Sequence, residues 1–193
     1  MWLFIAFIVL VLVYLVSVYN RLIALRNRFK NGFAQIDVQL QRRHDLIPSL
    51  VESAKAFLSH EKETLTQVIE ARNQAEGARQ KAQANPDNAG AMTMLGKAEG
   101  LLSGSLAKLY AVSEQYPELK ANETVAHLME ELSSTENRIG FARQAFNDLV
   151  MDYNTYREQF PNNFIAGTFG NFKAAQQLDL ENPEARQAVK VKL

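Results

Sequence analysis

Three histidines are the side chains of this sequence best suited to hold a metal or move a proton, and their neighbours decide whether they do. Metal sites in helical proteins use Glu-x-x-His on paired helices. The residues three before His44, His60 and His127 are Gln41, Phe57 and Thr124, so the pattern is missing at all three. His60–Glu61–Lys62–Glu63–Thr64 begins like a zinc-protease helix, but Thr64 stands where the second His is required. No G-x-S-x-G turn, phosphate loop or dinucleotide fingerprint occurs. Zero Cys removes thiol catalysis, Cys–zinc sites, disulfides and thioether anchors. Carboxylate pairs such as Glu130–Glu131 fall on a charged helix face, where solvation is their expected role. The sequence therefore predicts no enzyme, no catalytic residue, no cofactor and no metal site.

Three other groups stand out. Arg42–Arg43–His44–Asp45–Leu46–Ile47–Pro48 places Arg43 on an apolar stripe, so its guanidinium is expected to be partly buried and to need a carboxylate partner. Pro48 removes the helical bond to the His44 carbonyl, which predicts a kink or break between Arg43 and Pro48; Asp45 is placed to cap freed backbone donors. Gly96, Gly100 and Gly104, continued by Ala107 and Ala111, share one helix face. Each Gly costs about 0.8–1 kcal/mol against Ala in a helix, so the face suggests a close approach, either within the fold or to a neighbouring subunit. Finally, Phe164, Phe169 and Phe172 follow Pro161 with no helical stripe. They can fold back over the end of the helices, touch the bilayer surface or meet another copy.

These residues need elements to hold them. From Tyr19 to about Leu58, Leu22, Leu25, Phe29, Gly32, Ile36, Leu40, Arg43, Ile47, Leu50, Ala54 and Phe57 recur at steps of three and four. A second, Ala-rich helix is predicted from about Ser59, as cap, to Ala84. A turn at Asn85–Pro86–Asp87–Asn88 leads to a third from Ala89 to about Gln115. Asn122 caps the fourth, whose seam from Val125 to Phe160 alternates threes and fours until Pro161. No period-2 segment interrupts them. The predicted fold is all-α, an N-terminal transmembrane helix continuing into an antiparallel up-down four-helix bundle. The expected division is a membrane helix at 1–19, a bundle domain at 20–172 and a tail or short helix at 173–193.

Met1 to Tyr19 carries no charged side chain and spans roughly 28 Å as a helix, about the thickness of a bilayer core. A cleaved signal peptide wants a basic start and small residues at its exit; here no Lys or Arg precedes the apolar run and the exit reads Ser17–Val18–Tyr19. Arg21, Arg26, Arg28 and Lys30 follow the run before the first acid, Asp37. The positive-inside rule puts that side in the cytoplasm and the N-terminus outside. The remainder balances 21 Lys and Arg against 21 Asp and Glu, which argues against nucleic-acid binding by phosphate neutralisation.

The sequence resembles the LemA family. The likeness rests on Tyr19–Asn20 and Arg26–Asn27, on the long run Ile36–Asp37–Val38–Gln39–Leu40–Gln41–Arg42–Arg43–His44–Asp45–Leu46–Ile47–Pro48–Ser49–Leu50–Val51, and on His60–Glu61, Tyr153–Asn154, Phe160–Pro161, Ile165–Ala166 and Phe169–Gly170. The resemblance implies a bacterial plasma-membrane protein with one span, an outer N-terminus and a cytoplasmic helical bundle. It brings no catalytic residues with it. The expected function is a non-enzymatic membrane-anchored scaffold that acts by protein contact, as a homo-oligomer or with another membrane protein. The alternative is a membrane-tethered ligand- or peptide-binding module, with a groove left uncovered by the thin second helix.

Overall fold

An apolar run with no charge to interrupt it, followed by a three-four stripe, makes a single helix. In the computed structural model, which describes residues 1–170 and 172–179, α1 (Trp2–Lys55) is that helix. Its side chains are exposed from Trp2 to Tyr14, and burial begins at Val18 and continues along Leu22, Leu25, Phe29, Phe33, Ile36, Leu40, Ile47 and Leu50. Among the described residues it is the one helix long and apolar enough to cross a membrane.

Of the expected kink or break before Pro48, the break is absent: α1 runs unbroken through it. Pro48 offers no N–H to the His44 carbonyl. That carbonyl instead accepts a hydrogen bond from Arg72 Nε at 3.1 Å. A side chain from a neighbouring helix thus satisfies the group the proline leaves open, and the helix has no need to end.

α2 (Lys62–Ala84) starts later than Ser59, with Glu61 at its cap position and no side-chain capping bond. Leu58 is fully buried, and turns closed by Leu58 N–H to Ala54 O and Glu61 N–H to Leu58 O occupy the intervening residues. α3 (Ala89–Ser113) and α5 (Glu123–Glu158) are capped as their sequences suggest: Asn88 accepts from Ala91 N–H at 3.0 Å and Asn122 from Val125 N–H at 3.1 Å. Two short helices were not legible as periodic stripes. α4 (Pro117–Lys120) opens on a proline and buries Leu119; α6 (Asn162–Thr168) buries Ile165 and Ala166 where a non-helical stretch was expected. No strand occurs among the described residues.

α1 packs along α5, and α2 along α3 and α1. Phe29 lies 5.1 Å from Tyr153 and Phe33 lies 5.9 Å from Phe146, centroid to centroid. Gly32 marks the close approach of α1 and α5: a Cβ there would fall 2.7 Å from Leu149 Cδ1.

Residues 172–179 form an extended strap with neither helix nor strand. Phe172, Ala175 and Leu178 are buried at every third position. α5 grips the backbone between them. The Asn154 side-chain amide donates to Ala175 O at 2.8 Å and its oxygen accepts from Ala175 N–H at 2.9 Å. Asn147 treats Leu178 the same way, at 3.3 and 2.8 Å, and Tyr153 Oη donates to Lys173 O at 2.9 Å. Seven helical residues advance about 10.5 Å and three extended ones about 10 Å, so the asparagines match the strap's repeat. The expected tail or short helix at 173–193 is therefore extended as far as 179; the remainder, 180–193, lies outside the described residues.

Candidate functional site

Charged and polar side chains from four helices meet around buried Arg43, His44 and Glu99. α1 supplies Asp37, Arg43 and His44, α2 supplies Arg72, Glu76 and Arg79, α3 supplies Glu99 and Ser103, and α5 supplies Glu136. Arg43, 2% exposed, donates to Glu99 Oε2 at 3.1 Å and to Ser103 Oγ at 2.9 Å, and pairs with Glu136 at 3.0 Å. Arg79 bridges Asp37 at 2.7 Å and Glu76 at 2.9 Å, and Gln83 also donates to Asp37. His44, fully buried, joins the two halves: Nδ1 is 2.8 Å from Glu76 and Nε2 is 2.7 Å from Glu99.

Ionised carboxylates only accept hydrogen bonds. Two carboxylates on one imidazole therefore require a proton on each ring nitrogen, or a proton carried by one of the acids. With the doubly protonated ring, Arg43, His44, Arg72 and Arg79 balance Asp37, Glu76, Glu99 and Glu136. A buried ionic cluster is tolerated when its charges are paired and its hydrogen bonds made. Here each charged group meets a partner inside the cluster. Among the described residues no three His, Asp or Glu side chains converge on a metal-sized site. The arrangement holds four helices in register.

Charge pairing sets the titration of the cluster's partly exposed edge. The Arg79 hydrogen bond, opposed by burial and reinforced by His44 and Gln80, holds the Glu76 carboxyl far below the usual carboxylate range. At the turn before α3, burial of Asp87 is outweighed by Lys30 and Arg26, so its pKa is also lowered. A carboxyl lowered on folding adds stability above its unfolded pKa and loses it as pH falls through the folded value. The melting temperature should hold from neutral pH to about pH 5 and decline below the ordinary carboxylate range. The deficit of Glu76→Gln relative to the parent should be largest near neutrality and shrink in acid, as thermal melts over a pH series would record.

The residues singled out by sequence are distributed over three places. Arg43 is in the cluster, whereas Arg42 is exposed and pairs with Glu131. Asp45 and Pro48 are exposed on the outer face of α1, and among the described residues Asp45 accepts no hydrogen bond from a backbone donor. Gly96 lies under the strap: a Cβ there would run into the Asp179 carbonyl. Gly100 is buried, and Gly104 has open space where its Cβ would be. The strap, rather than a neighbouring helix, is what comes close at Gly96. Phe164 and Phe169 are exposed at the end of the domain beside the apolar part of α1, while Phe172 is buried against Tyr19 at 5.6 Å. Glu99, Glu76, Arg79 and Asp37 were not anticipated. Their signal is the same as Arg43's: Glu99 falls between Leu95 and Leu102, and Arg79 between Ala75 and Ala82, on the buried faces of their helices.

The LemA family model matches residues 32–193. Magnetosome proteins MamQ 1 and MamQ 2 of Paramagnetospirillum magneticum are each 27% identical over 176 residues, covering 82% of this chain and 63% of theirs. Magnetosome protein MamQ of Magnetospirillum gryphiswaldense is 32% identical over 80 residues, 42% of this chain and 29% of that one. The chain thus spans less than two-thirds of the length of these relatives.

Proposed function

This chain belongs to the LemA family, and from that premise we propose that it is a membrane-anchored, non-enzymatic scaffold that works by protein contact and self-assembly. On this reading residues 1–19 cross the bacterial plasma membrane with the N-terminus outside, and the four long helices form an antiparallel up-down bundle in the cytoplasm. The observation that carries the reading is α1 itself. One uninterrupted helix exposes its apolar first third and buries a stripe along the rest, so on this reading the anchor and the core of the domain share a single helix. Arg21 and Arg28, exposed just beyond the apolar run, supply the positive-inside bias. The ionic cluster supports a structural role, because its groups are consumed in pairing with one another. An open helix face at Gly104, beside exposed Leu101, offers a place for a second copy. The relatives' names tie those proteins to the magnetosome.

Crosslinking in native membranes, followed by mild detergent extraction, tests the proposal. The expected result is crosslinked species above the monomer and an extracted particle of more than one chain. Monomer alone, with no co-purifying protein at native expression, would contradict it. One observation favours the peptide-binding alternative: an apolar groove of about 500 Å³ between Val51, Leu58, Leu65 and Ile69 at the far end of α1. A monomer whose melting temperature rises with a defined peptide would favour that reading instead.

A further inference from the structure

We propose that α6 and the residues flanking it form an interfacial foot, which sets Phe160, Phe164 and Phe169 into the lipid where α1 leaves the bilayer. The proposal rests on the reading that α1 spans the membrane and adds a second point of lipid contact to it.

The position of α6 on α1 fixes its depth. The apolar run meets its first charged side chain at Arg21, so a span built on it leaves the hydrocarbon core near that residue. Tyr14 to Tyr19 then lie within its last ~11 Å. These are the residues that α6 touches. Tyr14 Oη donates to Asn162 Oδ1 at 3.5 Å, and Leu15, Val16, Tyr19, Ile165 and Phe169 together line a cleft of about 270 Å³.

The side chains presented at that depth suit the boundary. Ile165 and Ala166 are spent on the protein interior, yet Phe160, Phe164 and Phe169 remain 80%, 66% and 64% exposed. Phe160 and Phe164 stack edge to face at 6.0 Å, forming a joined aromatic surface. In water such a patch is a liability; at the headgroup–acyl boundary it is an anchor. Arg21, two residues beyond Tyr19, and Lys173, four beyond Phe169, are both exposed and meet the anionic headgroups. The apolar surface of the foot is continuous with that of the span through Leu15 and Val16. A single helix can rotate freely about its axis in a bilayer. A foot on one side of it fixes which face of the domain turns toward the membrane plane, and it fills one leaflet only.

Tryptophan fluorescence of the full-length protein in phosphatidylethanolamine–phosphatidylglycerol vesicles tests the foot. Trp2 is the sole tryptophan, so Phe164→Trp and Phe169→Trp are each placed in a Trp2→Phe background. Phe141→Trp, 75% exposed on α5, serves as the distant control. With lipids brominated close to the headgroup, the two foot reporters should show blue-shifted emission, quenching several-fold above the control and protection from aqueous acrylamide. Acrylamide access equal to that of Phe141→Trp would overturn the proposal. So would protection from both quenchers, the signature of a contact with a second copy. The parent chain separates the two readings: Trp2 quenched by bromolipid while the foot reporters are not removes the foot and leaves the span. Trp2 unquenched removes both.

Discussion

Glu99→Ala should lower the melting temperature of the helical domain by roughly 10 °C or more. Glu99 has no solvent exposure and makes two of the contacts that hold the interior cluster together, to Arg43 and to His44. Its removal leaves a guanidinium and an imidazole in an apolar interior, each short of an acceptor. Breaking a buried ion pair by deleting one partner costs about 3–5 kcal/mol, and in a domain of this size each kcal/mol is worth about 2–4 °C. Glu136→Ala is the contrasting variant. Its side chain is 46% exposed, and Arg43 keeps Glu99 and Ser103 without it, so the loss should stay near that of a surface pair, about 1 kcal/mol or less. Arg43→Met should be tolerated better than Arg43→Ala, because Met fills the volume and neither replacement carries a charge. Thermal melts of the four variants under one condition check the order. Equal, negligible effects of Glu99→Ala and Glu136→Ala would mean that water reaches the cluster.

Gly96→Ala and Gly104→Ala should change stability in opposite directions. Alanine is the better helix former by about 0.8–1 kcal/mol, and nothing lies within 4 Å of a Cβ at Gly104. That variant should therefore gain about 2–4 °C. At Gly96 the new Cβ meets the backbone carbonyl of Asp179, which cannot swing aside as a side-chain tip could. The strap must lift, and with it go the burial of Leu178 and the Asn147 bonds that hold its backbone. Gly96→Ala should thus melt lower than the parent and be cut faster by trypsin after Lys173. Asn147→Ala combined with Asn154→Ala should reproduce the tryptic phenotype without altering α3. If Gly96→Ala is instead stabilised like Gly104→Ala, with unchanged cleavage, the strap does not rest on that face.

The long elements were legible because their signals are local. The stripe from Leu22 to Ala54, the Asn88 and Asn122 caps and the seam of α5 each depend on residues within one or two turns. The continuity of α1 through Pro48 was not legible for the opposite reason: a proline breaks a helix unless something distant repairs it, and the repair by Arg72 belongs to another helix. The buried cluster shows the same division. Arg43 reveals itself as a charge on an apolar stripe, and Glu99 and Arg79 carry the same mark. Which acid meets which base, however, is set by the register between helices, and that information does not lie in any one of them. α6 is too short for a stripe to be counted. The strap is invisible to periodicity altogether, since the groups recognising it are side-chain amides spaced to an extended backbone rather than to a helix.

The anchored rod is the claim from which the rest follows. Intact-mass measurement of the protein recovered from carbonate-washed membranes tests it most directly. The account predicts that the chain stays with the membrane after the wash and retains every residue from Met1 through the apolar segment. Recovery in the wash, or a chain that begins beyond Val18, would contradict it.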